Sequence, residues 1–494
     1  MSKGTRKREA NAAKKQLKLE REAFEAKKAK VRKVTAIITA TLLIAVILAI
    51  VIGMIASTVR LNRGEYLRSE IAASSTNIDV DGAMMNYFFN DSYLAFLNYY
   101  GSYVSYYGLD PALPLKSQNV SENETWFEYF MDGARQNVSD LLMINEAAAA
   151  DGVALTDEET AAIRGRADEI DTALYGKGTN RDDIYNAKLI EALAYKYQLA
   201  KEAELTPTDD EIDAYYAENS KNYQFVDYLS LKLSYIDSDS DETTTATLTE
   251  DEVKALTDKL AAATDEESFK ALAKEAIRES EPAIPDEDLD NRVADLATAE
   301  AAYTADDFSE WAFGEAEIGE THTVIDETAH TYTVYMLTAK PYRSETETIN
   351  VRHILLTDGT YGKREKALKA AEKLLEEFKA GEATADAFAL LALEYSEDTG
   401  SYYAGGRYEN VLPGQMVESF DAWCFDDTRA VGDTGIVETD YGVHIMYYGG
   451  DGKAEWQASV ANTIVSEGLN SLVEEWSKKY TVAFDDTVLN MIPD

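Results

Sequence analysis

Val351-Arg352-His353-Ile354-Leu355-Leu356 opens a segment, 350–449, in which five short pieces follow one another. After this run come Tyr395-Ser396-Glu397-Asp398, then Gly405-Gly406, then Gly414-Gln415-Met416-Val417-Glu418-Ser419-Phe420. The last is Thr439-Asp440-Tyr441-Gly442-Val443-His444-Ile445-Met446. Alternation over Ile349–Thr357 predicts a strand with Val351, His353 and Leu355 on one face. Lys363–Lys379 reads as a helix whose apolar stripe is Leu368, Ala371, Leu375 and Phe378. Ala385–Tyr395 and Val417–Phe425 read as two more helices. Ile436–Thr439 and Val443–Tyr448 pair through Asp440-Tyr441-Gly442. The pattern predicts a small antiparallel sheet covered by helices.

These five pieces, in this order and at this spacing, resemble the parvulin-type peptidyl-prolyl cis–trans isomerase domain. The resemblance implies a domain at 346–450, with His353 and His444 side by side on central strands. It implies catalytic roles for His353, Asp398, His444 and Thr439. It implies a substrate cradle of Met416, Phe420, Tyr408 and Gln415, with no metal and no cofactor. The chemistry needs none. Rotation about a prolyl bond faces a barrier of roughly 18–20 kcal/mol because amide resonance must be broken. A site lowers it by binding the twisted amide better than either planar form. One departure stands out: where the family commonly has Gly-Gly-Asp-Leu-Gly, this chain has Gly405-Gly406-Arg407-Tyr408-Glu409. That puts Tyr408 where an apolar wall is expected and leaves activity or residue preference open to change. Arg407 alone says little about the residue before proline.

Outward from this segment, residues 223–345 read as a second copy without the chemistry. Phe308-Ser309-Glu310-Trp311-Ala312-Phe313 mirrors Phe420-Asp421-Ala422-Trp423-Cys424-Phe425, and Gly319-Glu320-Thr321 mirrors Gly432-Asp433-Thr434. In this alignment Leu233 takes the place of His353 and Tyr335 that of His444. The copy is expected to be inactive, a spacer or a peptide-binding surface.

Residues 60–222 read as mainly helical. Thr156–Glu159 and Thr208–Glu211 are capping boxes, and Ile184–Lys201 is a continuous helical pattern. The aromatic run Tyr87–Tyr107 recurs at helical steps; it suits either a tyrosine-built core or a surface that holds unfolded segments. The junction Leu205–Ile212 resembles the entry into PrsA/SurA-like extracytoplasmic foldases, which implies a helical chaperone domain. The tail 451–494 reads as a long helix, Trp456–Tyr480, and a short strand; by the same resemblance it packs back on that domain.

At the other end, residues 1–33 carry 13 Lys/Arg against 4 Asp/Glu, so the remainder is more acidic than the net −43 of the whole chain. Such a surface disfavours nucleic acid, which needs a basic footprint. Val34–Val59 has no charged residue and is long enough to span a bilayer. The basic flank predicts residues 1–33 in the cytoplasm, a transmembrane helix at 34–59, and the bulk of the chain outside. A cleaved signal peptide is the rival, but the leader and apolar core are both long for one. The one cysteine, Cys424, sits in an apolar run and reads as a buried thiol.

The fold class expected is therefore α+β: a membrane-anchored multidomain chain with a helical chaperone domain and two tandem parvulin-like domains, the first degenerate. The expected function is an isomerase and chaperone of the cell membrane, single-pass, acting on unfolded exported polypeptides that contain X-Pro bonds. The alternative is a tethered holdase with two inactive copies.

Overall fold

The computed structural model describes residues 64–493, apart from 177, 237–247, 295 and 297. Helical residues 64–69 come first, followed by β1 (Ile71–Ser74), β2 (Asp79–Asp81), α1 (Gly82–Tyr100), β3 (Asn119–Ser121), β4 (Glu124–Thr125) and α2 (Trp126–Ala150). Next come α3 (Asp157–Glu169), α4 (Arg181–Leu205), α5 (Asp209–Asn219), β5 (Phe225–Ser234), α6 (Glu250–Leu260), α7 (Glu266–Ser280), α8 (Asp286–Ala294), β6 (Ala299–Ala302), α9 (Asp307–Ala312), β7 (Thr321–Asp326) and β8 (Thr331–Tyr342). Then follow β9 (Glu347–Leu356), α10 (Asp358–Tyr361), α11 (Arg364–Ala380), α12 (Ala385–Tyr395), β10 (Arg407–Val411), α13 (Glu418–Cys424), β11 (Thr434–Thr439) and β12 (Gly442–Ala454). The chain ends with α14 (Glu455–Lys479), β13 (Ala483–Phe484) and α15 (Asp486–Leu489). The architecture is mixed helix and sheet, and it divides into two compact units.

One unit holds the described residues up to Leu142, with Ile170–Ala187 and Val482 onward. Its small sheet has the order β13-β1-β2, so among the described residues the last strand pairs with the first. Asp81 caps α1, its carboxylate accepting from the Ala83 and Met84 N–H groups, which an unpaired helix start requires. Tyr87, Phe88 and Phe89 of α1 are buried. The helix does not continue to Tyr107 as the aromatic spacing suggests. Gly101 takes φ +50° and a 3₁₀ turn follows, leaving Tyr99, Tyr103 and Tyr106 exposed. Arg68 forms a two-pronged ion pair with the buried Asp183, both bonds 2.7 Å.

The other unit, Met143–Glu169 with Lys188–Thr481, contains two four-stranded antiparallel sheets. Their strand orders are β6-β5-β8-β7 and β10-β9-β12-β11. Numbered within each sheet, both read second-first-fourth-third. In each, one face is covered by the long helices that follow the first strand. Leu229, Leu231 and Leu233 of β5 pack with Val253, Phe269 and Ile277. Ile354, Leu356, Val443 and Ile445 pack with Ala371, Phe378 and Phe388. The other face carries a short helix: α9 over the first sheet and α13 over the second.

The register corrects the alignment of the two copies. Thr321 pairs with Met336 as Thr434 pairs with Tyr447. Tyr335 faces Ser230 as Met446 faces His353. The positions corresponding to His353 and His444 are therefore Ser230 and Thr333. Leu233 lies on the opposite face, in the helix-covered core, because side chains alternate along a strand and a one-residue slip reverses them.

Residues 1–33 and the expected membrane helix 34–59 lie outside the described residues. Among the described residues no helix is long and apolar enough to cross a membrane. The three longest, α2, α4 and α14, have 25 residues each and carry charge along their length. The expectation of a single-pass cell-membrane protein is corrected on this finding.

Candidate active site

β9 and β12 are the two central strands of the second sheet, and their pairing places His353, Leu355, His444 and Met446 on one face. Both imidazoles are buried, 3% and 5% exposed. Their rings stack with centroids 5.2 Å apart, and the two Nδ1 atoms lie 3.0 Å from each other. His353 Nε2 is 3.0 Å from Asp398 Oδ2. His444 Nε2 is 2.8 Å from Thr439 Oγ1, which also accepts from the Tyr441 N–H at 3.1 Å. One line of contacts thus runs Thr439, His444, His353, Asp398.

Burial holds the His444 imidazolium at a disadvantage, and the charge of His353 adds to this, so its pKa falls to about 3. For Asp398, burial alone would raise the pKa. The hydrogen bonds from His353 and Ser401, the His353 charge and the Tyr408 hydroxyl outweigh it and hold the carboxyl well below the usual range. With Asp398 ionised, its bond with His353 has one direction, because a carboxylate only accepts. His353 Nε2–H donates to Asp398, the two Nδ1 atoms share a single hydrogen between them, and Thr439 Oγ1 is the partner of His444 Nε2.

Both shifts act on stability in the same sense. A proton binds the unfolded His444 near 6.5 but the folded one only near 3, so the unfolded chain takes up more protons between these values. Stability is then full above about pH 6.5 and falls as pH drops toward 3; the depressed Asp398 extends the loss in the acid range. Thermal melts from about pH 7.5 to about pH 4 should show this decline, and His444→Gln should flatten its upper part. A wild-type midpoint that rises on acidification would contradict the neutral assignment of His444.

The carboxylate is clamped. Ser401 Oγ–H donates to Asp398 Oδ2, and Tyr408 OH donates to the same oxygen at 3.0 Å. Tyr408 stands opposite Val351 on β10, its ring 5.3 Å from His353. It is therefore a wall of the site with its polar tip tied down, and its hydroxyl is raised to about 12 by burial and by the adjacent carboxylate. Phe420, 2% exposed, sets its ring edge-on to both imidazoles at 5.4 Å. Met416 packs against the same apolar cluster. Gln415 is exposed, and its side-chain carbonyl accepts from the Leu412 N–H at 2.9 Å, closing its own turn. Arg407 is engaged by Glu409 at 2.9 Å and Glu202 at 3.8 Å.

The structure thus gathers His353, His444, Asp398, Thr439, Tyr408, Phe420 and Met416, and leaves Gln415 in the flanking turn. Two residues escaped the sequence reading. Ser401 is 1% exposed, 3.3 Å from His353 Nε2; its spacing three residues after Asp398 is the available signal, since short polar side chains bond locally in turns. Ser396, fully buried, accepts from the Leu355 and Asp398 N–H groups and so fixes the start of the loop. Cys424 is buried, its thiol pushed up to about 12 by desolvation and Asp421. Among the described residues no group of His, Cys, Asp and Glu could hold a metal ion.

Residues 332–448 match the family described as the PPIC-type PPIASE domain. The second sheet with its helices is the part of the chain that this match takes in, as far as residue 448. Curated relatives include "Foldase protein PrsA 3" of Bacillus cereus, 37% identical over 99 residues, or 20% of this chain and 30% of that protein. "Foldase protein PrsA 1" of Listeria innocua is 32% identical over 105 residues, or 21% of this chain and 31% of that one. The chain thus spans about a third of the length of the curated relatives it matches. Among solved structures, peptidylprolyl isomerase PrsA of Bacillus anthracis aligns at 15% identity, covering 57% of this chain and 96% of that one, with a TM-score of 0.19. PrsA of Bacillus subtilis aligns at 17%, covering 63% and 93%, with a TM-score of 0.20.

Proposed function

We propose that the protein is a peptidyl-prolyl cis–trans isomerase and foldase that acts on unfolded, exported polypeptides containing X-Pro bonds. The observation that carries this reading is the buried line Thr439–His444–His353–Asp398 beside the Phe420 ring, inside the segment that matches the isomerase family. Phe420 and Met416 cradle the pyrrolidine ring. Tyr408 closes one side, and Gln415 flanks the entrance. No bond to the protein forms. Twisting about C–N reduces the charge separation of the amide, so a dry apolar cradle favours the twisted form over the planar ones. Asp398 lies near the substrate carbonyl and acts through its field: a fixed negative charge disfavours the planar amide, whose oxygen is the more negative.

The chain is organised as a helical chaperone segment at 60–222, a degenerate parvulin-like copy at 223–345, the isomerase at 346–450, and a tail at 451–494 that returns to the helical part. Shared strand order supports the repeat. With Ser230 and Thr333 at the imidazole positions, the first copy lacks the chemistry and serves as spacer or peptide-holding surface. A second reading, a holdase with no turnover, draws on the Arg407-Tyr408-Glu409 departure.

The two readings separate in a proline-limited refolding assay with the full chain. Spontaneous isomerisation takes tens to hundreds of seconds. The wild type should shorten this phase, and His353→Ala should restore it. A wild type that leaves the slow phase unchanged, while still suppressing aggregation, would establish the holdase.

A further inference from the structure

The loop that carries Asp398 and Ser401 is gripped from outside the sheet. Helix α3 lies so close to α12 that a Cβ on Gly165 would sit 2.6 Å from Glu394 Oε1. One residue on, Arg166 Nη1 donates to the Ser396 carbonyl at 2.8 Å and to the Leu393 carbonyl at 3.3 Å. These are among the last carbonyls of α12, which have no partner within the helix, and a cation at a helix C-terminus also answers its dipole. The Arg166 guanidinium lies 3.7 Å over the ring of Tyr402, itself 6% exposed. From α4, Glu191 accepts from the Tyr403 hydroxyl, and the Tyr195 ring stacks on Tyr403 at 5.6 Å.

These contacts fall on residues 393–403, between the end of α12 and the glycines before β10. Asp398 hangs from that helix end: Ser396, whose carbonyl Arg166 holds, accepts the Asp398 N–H on its own hydroxyl. Met416 and Phe420 belong to a different stretch, 414–420. The grip therefore bears on the polar half of the site and not on the apolar cradle.

We propose that Arg166 is a positioning residue of the isomerase site, and that α3 and α4 set the geometry of Asp398 through the 393–403 loop. The helical segment then does more than hold clients: it tunes the turnover of the domain that follows. This rests on the isomerase reading. A displacement of about 1 Å at a reacting centre costs up to about a hundredfold in rate, so a partial loosening of this loop should cost about tenfold.

The test uses the full chain carrying Arg166→Ala, Arg166→Lys and Tyr403→Phe, with turnover of a proline peptide and histidine NMR signals as separate readouts. In Arg166→Ala, kcat should fall about tenfold with KM little changed, and the His353 and His444 ring signals should shift. Lysine restores the charge but not the planar fork that reaches two carbonyls and stacks on a ring, so Arg166→Lys should recover only part of kcat. Tyr403→Phe should move kcat in the same direction by less. Wild-type kcat and unshifted imidazole signals in Arg166→Ala overturn the proposal. Should Arg166→Ala not fold, the same two readouts on the other variants decide it. A wild type without turnover sinks the isomerase reading, and the imidazole signals then judge the positioning role alone.

Discussion

Gly406→Ala should cost the isomerase domain about 4 kcal/mol or more, a large part of what a domain of this size has to lose. Two separate effects add. Gly406 sits at φ +73°, a region in which a side chain costs roughly 1–2 kcal/mol. The heavier term is steric. A Cβ there would lie 2.1 Å from the His353 carbonyl oxygen and 3.1 Å from the His353 C and N. All three are backbone atoms of a central strand, so no rotamer change relieves the overlap. β10 would have to leave β9, breaking the His353 N–H to Gly406 carbonyl bond of 2.8 Å and carrying Tyr408 away from Asp398. Gly362 provides the control, since it has the same φ of +73° with nothing within 4 Å of its would-be Cβ. Gly362→Ala should cost only about 1–2 kcal/mol. Denaturant or thermal unfolding of the two full-length variants gives the comparison. Equal losses would mean that backbone conformation alone matters at Gly406, and that the close approach of the strands does not.

The same glycine shows what sequence reading can reach. Gly405-Gly406 was legible as a motif, but the reason only Gly fits at 406 is a neighbour far along the chain. Helix boundaries came out well where the signal is local. α12 spans the expected Ala385–Tyr395, and α13 and α14 lie within a residue of expectation. The Thr208–Glu211 box caps α5 as read, because a capping box needs no tertiary partner. His353 and His444 were legible through the family resemblance, which sets their strands side by side; the short Asp440-Tyr441-Gly442 turn fixes only the register of β11 on β12. Where register was inferred without a turn to fix it, between the two copies, the reading slipped: Leu233 was matched to His353 although it faces the opposite core. β6, Ala299-Glu300-Ala301-Ala302, has no β-branched or aromatic residue and was not read as a strand; pairing with β5 makes it one, as context does at sheet edges. Arg166 could not have been read at all. Its partners lie 227 and 230 residues away, and nothing periodic connects them.

What the polar half of the site contributes is open to a sharper test at Asp398. In Asp398→Asn the amide oxygen can take the place of Oδ2, which receives His353 Nε2 at 3.0 Å, Tyr408 OH at 3.0 Å and the Ser401 hydroxyl. The amide NH₂ then replaces Oδ1, whose one contact is a long 3.4 Å bond from the Gly400 N–H. Shape and acceptor survive while the charge goes. If the carboxylate works through its field on the planar amide, kcat should fall by about a hundredfold, the scale of removing one preorganised electrostatic group. KM should hold or fall, because a ground state the carboxylate had disfavoured becomes easier to bind. Asp398→Ala is a different experiment. It leaves the His353, Tyr408 and Ser401 donors without their acceptor in a largely buried place, at about 1–3 kcal/mol each, so stability falls along with rate. The discriminating number is therefore KM in the asparagine variant. A raised KM with kcat unchanged would make Asp398 a plain binding group. Turnover unchanged in both terms would leave catalysis to the apolar cradle alone, with the imidazole line serving only to build the floor on which Phe420 and Met416 are set.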